Sequence, residues 1–433
     1  MKRLSLLLSL LALIGGPAGA DIALSGQADV TLNAFPAFPY TSDRFENRIN
    51  PGNIYGVRDV SLDTGVTFRL EAGGEVSALT LWLALNPYEM SRLLLAAASG
   101  DPVQEQEVAA GLLSSDPAAL SVLRAAIAWY AGRSFVLRLG RQSMLTGYGY
   151  GWNPMDFASA LKDPFDPEAE LRGVDALSLQ FSLGNLFVLK LSGIIRLEDF
   201  IAGADFEDLQ AGAELTAYLP LLEMKLSGYY DYDATAGEDG FVPALGFGFM
   251  LDPGGVGIYG EGALLRGGRI PVAVGVSNIE RSEQLKASGL IGLEYTFASE
   301  LRFIAEYFYN GEGYSRQERD LYRQSLEDQF VSLSYIPGEY AAMYRPGYFA
   351  RHYLLINLGY PIYPWKTNFE FSIYYSPDSG ALGVMPLVEL EASGSLSIRA
   401  GYTGLFSLLE GRYDEAWFSP VNHIAELRLT YFF

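Results

Sequence analysis

The sequence predicts an all-β chain: a transmembrane antiparallel β-barrel of about 18 strands (16 is the alternative count), with short turns at one end and long loops at the other. Three observations carry this. Apolar and polar residues alternate with period two from end to end, which is the mark of strands with one apolar face. No apolar run beyond the N-terminal segment approaches the roughly 18 to 20 residues that a membrane helix needs. The connections between the alternating segments are short and long by turns. Composition agrees: 13% of the residues are aromatic and 47 are Gly, which suits many strands and turns better than helices. A length of 433 residues would by default suggest two or three domains, but one strand type repeated throughout argues for one.

Lys2 and Arg3 precede an apolar stretch from Leu4 to Ile14, and Ala18-Gly19-Ala20 offers a small-residue cleavage site before Asp21. Residues 1–20 are therefore expected to be an export signal and residues 21–433 a single barrel domain. A membrane anchor is the alternative, although the apolar stretch is shorter than a spanning helix. Cleavage removes two bases and no acid from a chain of formal charge −21. So acidic a protein has no general electrostatic attraction for nucleic acid. With no Cys in the sequence, disulfides, thiolate metal sites, Cys nucleophiles and a lipid-modified Cys are excluded.

The strands follow in order. The first is expected at 21–32. The next pairs are 61–72 and 75–86 across Gly73-Gly74, 119–131 and 134–141 across Gly132-Arg133, and 173–183 and 186–193 across Gly184-Asn185. Strands 208–218 and 221–231 meet at Leu219-Pro220, and in the second Leu222, Met224 and Leu226 alternate with Glu223, Lys225 and Ser227. Strands 241–250 and 255–264 are joined through 251–254, and 284–297 and 300–310 through Ala298-Ser299; in 284–297, Leu285, Ile291, Leu293, Tyr295 and Phe297 alternate with Lys286, Ser288, Glu294 and Thr296. Strands 350–360 and 365–376 are joined through 361–364, and in the latter Phe369, Phe371, Ile373 and Tyr375 alternate with Asn368, Glu370, Ser372 and Tyr374. Strands 383–393 and 395–404 meet at Gly394, and 423–433 is the last. These runs exceed the mean soluble strand of about 5–6 residues and suit the roughly 9–11 residues that cross a bilayer at a tilt. An even count puts both ends on the short-turn side, the periplasmic side of an outer-membrane barrel.

If the apolar faces meet lipid, the alternate positions face the lumen. These include the bases Arg69, Arg138, Lys190, Lys225, Lys286, Arg302, Lys366, Arg399 and Arg428, beside the acids Glu71, Glu214, Glu223, Glu261, Glu294, Glu306, Glu370, Glu389, Glu391 and Glu426. Such a wall is nearly neutral and strongly polar. The candidate pore-lining residues are Arg69, Arg138, Lys190, Glu223, Lys225, Glu294, Arg302, Glu306, Lys366, Glu370, Arg399 and Arg428; pairing across strands is the competing role for each. Wide barrels are narrowed by a loop folded inward, and 142–172 is the candidate. Gly147, Gly149 and Gly151 allow tight bends; Tyr148, Trp152 and Phe157 supply bulk. Asp156, Asp163, Asp166 and Glu168 outnumber its bases, so a modest preference for cations is expected.

The segments 89–118 and 316–329 have helical composition, and the second reads as a solvated loop helix. The acids Asp231, Asp233, Glu238 and Asp239 match no cation-loop spacing. His352 and His423 are the chain's two histidines. No local Ser motif accompanies either, so no catalytic, metal or cofactor residue is assigned.

The final strand, HIAELRLTYFF, carries Leu427, Leu429 and Tyr431 on one face and ends at Phe433. It resembles the terminal strand of bacterial outer-membrane barrels, where a C-terminal aromatic is read by the insertion machinery. That resemblance implies a location in the bacterial outer membrane, with membrane lipid and that machinery as partners. The segment from Leu137 to Leu179 joins a strand ending in Gly140-Arg141-Gln142, a Gly- and aromatic-rich loop, Asn153-Pro154 and Asp156, and a return through Glu170, Arg172, Gly173 and Asp175. It is similar to the porin-like barrels of the alginate-export and related uncharacterised outer-membrane channel families. The resemblance covers about 40 residues and implies a mostly 18-stranded channel for small solutes or acidic sugars. The near-neutral lumen departs from the basic path that alginate would need. The function expected is passive diffusion of small hydrophilic solutes; an adhesin or structural barrel with a blocked lumen, and a transporter of hydrophobic substrates, are the alternatives.

Overall fold

The structure, a computed structural model, describes residues 21–34, 60–74, 76–86, 120–195, 209–232, 241–275, 278–280, 282–333, 343–409, 414–419 and 422–433. The strands are β1 (Asp21–Ala34), β2 (Val60–Gly73), β3 (Ser77–Leu85), β4 (Leu120–Ala131), β5 (Phe135–Gln142), β6 (Val174–Leu183), β7 (Phe187–Ile195), β8 (Leu209–Leu219), β9 (Leu222–Tyr232), β10 (Phe241–Leu251) and β11 (Val256–Arg266). After a small hairpin of β12 (Val272–Gly275) and β13 (Asn278–Glu280) come β14 (Leu285–Thr296), β15 (Arg302–Tyr309), β16 (His352–Ile362), β17 (Thr367–Tyr375), β18 (Ala381–Ser393), β19 (Leu396–Ser407) and β20 (His423–Phe432). Leaving the hairpin aside, each strand pairs antiparallel with the next, and β20 returns to β1, so 18 strands close on themselves. A closed sheet leaves no unpaired edge, the condition that a hydrocarbon environment imposes on a spanning β-structure.

The closing seam runs from Gln27 opposite Phe432 to Ala34 opposite Ala425. Phe433 completes it, accepting from Gly26 N–H at 2.9 Å and donating its own N–H to the Gly26 carbonyl at 3.0 Å. Its ring meets Phe68 edge-on at 5.8 Å.

Pleating sorts the side chains as the alternation requires. On β10, Leu245 and Phe247 point outward, 59% and 46% exposed, while Ala244, Gly246 and Gly248 between them are buried. Leu24, Leu139, Leu226, Ile291 and Leu429 continue the exposed apolar belt around the barrel. A soluble protein would have to cover a belt of this extent, which is the kind of surface that a lipid-facing barrel wall carries. Among the described residues no helix is long and apolar enough to cross a membrane.

All 18 expected strands are present, with ends displaced by a few residues. The segment expected at 365–376 begins instead with a 3-10 turn, Tyr363–Trp365, and Lys366 takes a left-handed φ of 49° before β17 starts. The expected helix at 316–329 runs as α1 (Arg316–Leu333). It starts with a capping box, in which Ser315 N–H reaches Glu318 Oε2 at 2.6 Å and Glu318 N–H reaches Ser315 Oγ at 3.3 Å. The expectation that it is solvated is wrong. Arg319, Tyr322, Ser325 and Leu326 are buried along one face, with Tyr322 stacked on Phe418 at 5.1 Å. The segment 89–118 and Asp233, Glu238 and Asp239 lie outside the described residues, as do residues 1–20.

Candidate functional site

The long connection after β5 does not stay outside the barrel. Residues 143–173 fold against the inward faces of β9, β10, β11 and β15, and Met144, Trp152, Met155 and Asp156 are buried there. Two wall carboxylates hold it. Glu261 on β11 accepts from the backbone N–H groups of Tyr148, of Gly149 at 2.8 Å and of Met155 at 3.4 Å. Glu306 on β15 accepts from Tyr150 N–H, from Gly151 N–H at 2.8 Å, and from Tyr259 Oη at 2.7 Å. Each carboxylate is matched to a run of successive N–H groups, and charge-assisted bonds of this kind are about twice as strong as neutral ones.

The glycines allow this for different reasons. Gly147 has a φ of 121°, which L side chains rarely adopt, and a Cβ there would lie 2.8 Å from Glu261 Oε1. Gly149 and Gly151 do not take positive φ; they are needed for space, since a Cβ at Gly149 would fall 1.8 Å from the Trp152 carbonyl. Trp152 is the anchor. It stacks on Phe308 at 5.3 Å and Tyr353 at 5.6 Å and donates its indole N–H to the Gly347 carbonyl at 2.9 Å.

The candidate residues divide accordingly. Glu306 was expected to line an open path, but it is 3% exposed beneath the loop. Asp156 does not face the passage either; its carboxylate accepts from the N–H groups of Ala158 and Ser159, and burial raises its pKa. Tyr148 is tied to β9, donating from Oη to Glu223 at 2.9 Å while Lys225 lies 4.5 Å from its ring centre. At the far edge of the loop, acids reach back to bases on distant walls. Asp166 pairs with Arg399 at 3.5 Å, Glu168 with Arg302 at 3.9 Å, and Glu170 with Arg69 at 3.1 Å and Arg124 at 3.3 Å. Arg302 also pairs with Glu294 at 2.8 Å. The carboxylate of Asp163 caps Phe165 N–H at 2.9 Å. The loop's acid excess is therefore largely compensated, which weakens the electrostatic basis for a cation preference. Lys366, paired with Glu391 at 3.3 Å, sits beside the 3-10 turn at the short-turn end, and Arg428 pairs with Glu426 at 3.2 Å. Arg138 on β5 and Lys190 on β7 alternate with the outward Leu139 and Leu191.

Between the loop and the walls of β17–β20 lies a cavity of about 570 Å³, bounded by Tyr150, Phe165, Asp166, Glu168, Glu370 and Arg399 among others. Above its other side, α1, α2 (Glu415–Phe418) and residues 343–350 form an aromatic roof contiguous with Trp152. Glu415 is its polar centre and escaped the sequence reading, because nothing in YDEAWF sets it apart. It accepts from Tyr374 Oη, from Tyr353 Oη at 2.8 Å, and from Gly347 and Phe349 N–H at 3.1 and 3.3 Å. Burial pushes its carboxyl up to about 7, against the pull of those donors. The folded protein then holds a proton that the unfolded chain gives up near 4.5. This stability is complete below that value and is lost as pH rises to about 7. The loss expected is on the order of 3 kcal/mol. The unfolding temperature of the barrel should fall across this window and flatten in Glu415→Gln; a flat profile in the parent would contradict the assignment.

The two histidines sit on outward faces near the ends of strands. Tyr307 Oη lies 2.8 Å from His352 Nδ1, and Tyr402 stacks on His423 at 6.1 Å. Among the described residues no group of three or more His, Cys, Asp or Glu could hold a metal ion.

No family model and no curated protein matches the sequence. Among solved structures, the chain is similar to Wzi of Escherichia coli, described as an outer-membrane protein involved in group 1 capsule assembly and a carbohydrate-binding β-barrel. The identity is 11% and the TM-score 0.50, over 99% of this chain and 86% of that one. This is the fold of a porin-like outer-membrane β-barrel. The porin of Rhodopseudomonas blastica matches over 95% of this barrel and 100% of its own chain, with 9% identity and a TM-score of 0.47. Salmonella typhi OmpF matches over 96% and 98%, with 11% identity and a TM-score of 0.47. At these identities the likeness is one of fold alone.

Proposed function

We propose that the barrel is a passive outer-membrane channel for small hydrophilic solutes, with residues 143–173 as its constriction. The observation that carries this reading is the loop itself: a long connection drawn inside and fixed by Glu261 and Glu306, beside a cavity bordered by Asp166, Glu168, Glu370 and Arg399. A hydrated, charged path suits polar solutes and opposes hydrophobic ones. The protein needs no cofactor for this role. Planar-bilayer recording tests it: the parent should show open conductance, and deletion of residues 147–160 should raise it and admit larger solutes. Equal conductance in both would place the loop outside the path. A second reading, a barrel with a blocked lumen serving adhesion or structure, is favoured by the aromatic roof around Tyr322, Phe349 and Phe418. Silence in the bilayer for folded protein would select it.

A further inference from the structure

On the wall opposite Glu261 and Glu306, Trp82 of β3 lies between two arginines. The guanidinium carbon of Arg69 on β2 is 4.4 Å from the indole centre and that of Arg124 on β4 is 4.0 Å from it. Stacking on an aromatic face fixes the planes of both guanidinia and orients their donors. The positioning is built into the backbone. Trp82 faces Arg124 but Leu83 faces Val122, so β4 carries a bulge at Leu123, and bulges re-aim the side chains beside them. The bulge is held from two sides, Gly173 N–H donating to the Leu123 carbonyl at 2.9 Å and Arg141 Nη1 to the Val122 carbonyl at 2.9 Å. Arg141 is in turn gripped by Asp175 through bonds of 2.9 and 2.6 Å.

The two arginines converge on one carboxylate from opposite sides. Arg69 Nη2 reaches Glu170 Oε2 at 3.1 Å and Arg124 Nη2 reaches Oε1 at 3.3 Å. Donors are left over: Trp82 Nε1 and Arg124 Nε are buried without a hydrogen-bond partner. Buried donors without acceptors are costly and rare, so the clamp offers more than Glu170 uses. Glu170 is carried on the loop edge, and its side chain is 28% exposed, as are the arginines to a similar degree. Ion pairs this exposed are weak and exchange readily.

We propose that Arg69, Trp82 and Arg124 form a binding site for the carboxylate of an anionic solute, and that Glu170 is the internal occupant which such a solute displaces. This rests on the channel reading, since it makes the occupant a passing solute; it narrows the solute class to small carboxylates. The loop acid then acts as a competitor: it keeps the clamp neutralised when empty and lowers the apparent affinity for anions by the fraction of time it is bound.

The test is isothermal titration of the folded barrel in detergent with glucuronate, a sugar carrying one carboxylate, and with glucose as the neutral control. Glu170→Gln removes the competitor and should bind glucuronate about two- to fivefold more tightly than the parent, with glucose unaffected; Glu170→Ala, made in parallel, should do the same without a hydrogen-bonding side chain. Adding Arg124→Gln to Glu170→Gln should abolish the gain. Heat-modifiable migration confirms that each variant is folded. Equal glucuronate affinity in parent and both Glu170 variants, or tight binding that survives Arg124→Gln, overturns the proposal. Titration does not require conduction, so a silent bilayer would sink the channel reading while this result stood on its own.

Discussion

Replacing Glu261 and Glu306 together by Ala should release the inner loop and raise single-channel conductance more than any other pair of point changes in the wall. Between them the two carboxylates accept five backbone N–H groups of Tyr148, Gly149, Tyr150, Gly151 and Met155 and the hydroxyl of Tyr259. Each buried donor left without an acceptor costs about 1–3 kcal/mol, and the loop has no strand ladder of its own to offset that. The strands themselves lose no ladder bond, so the variant should still fold and migrate as a heat-modifiable barrel. Gln at both positions keeps a carbonyl oxygen for each run of donors and should give an intermediate conductance. A double Ala variant that conducts like the parent would show that the loop is fixed by its aromatic contacts instead.

Trp152→Ala should be the most destabilising single change in the loop. Truncating a fully buried aromatic side chain costs about 3–5 kcal/mol. Here the cavity would open between Phe308, Tyr353 and Tyr374, and the Gly347 carbonyl would lose its donor. Because Gly347 also donates to Glu415 at 3.1 Å, the loss should spread into the roof. The measurement is the unfolding temperature in detergent beside Trp152→Phe, which keeps the stacking but not the indole N–H and should lose less. A Trp152→Ala barrel as stable as the parent would mean that the loop and the roof are not coupled through this ring.

The strand framework was legible in the sequence because a barrel states its faces locally: Leu245 and Phe247 beside Gly246 and Gly248 need no tertiary information to be sorted. The inward loop was legible only as composition. That Gly149 serves close approach rather than a turn, or that Glu306 is covered, depends on which wall the loop meets, and no local pattern encodes that. Trp82 and Arg124 share the polar face of their strands, but their meeting depends on the extra residue at Leu123, which shifts register by one and cannot be read from alternation. Glu415 was invisible because its four donors come from β16, β17 and residues 347–349, all distant in sequence.

The seam between β1 and β20 bears on how the molecule comes to exist. Contacts there join residues about 400 positions apart, as Thr430 with Asp29 and Arg428 with Thr31 do. Neighbouring strands can pair locally, but this junction must wait for β20, and its contacts span far more sequence than those of any other strand pair. Until Phe433 pairs with Gly26, both margins of the sheet present unsatisfied N–H and C=O groups along amphipathic strands, a template for other chains. Ring closure is therefore the step expected to be slowest, and covering those two margins until it happens would protect the chain from pairing with others.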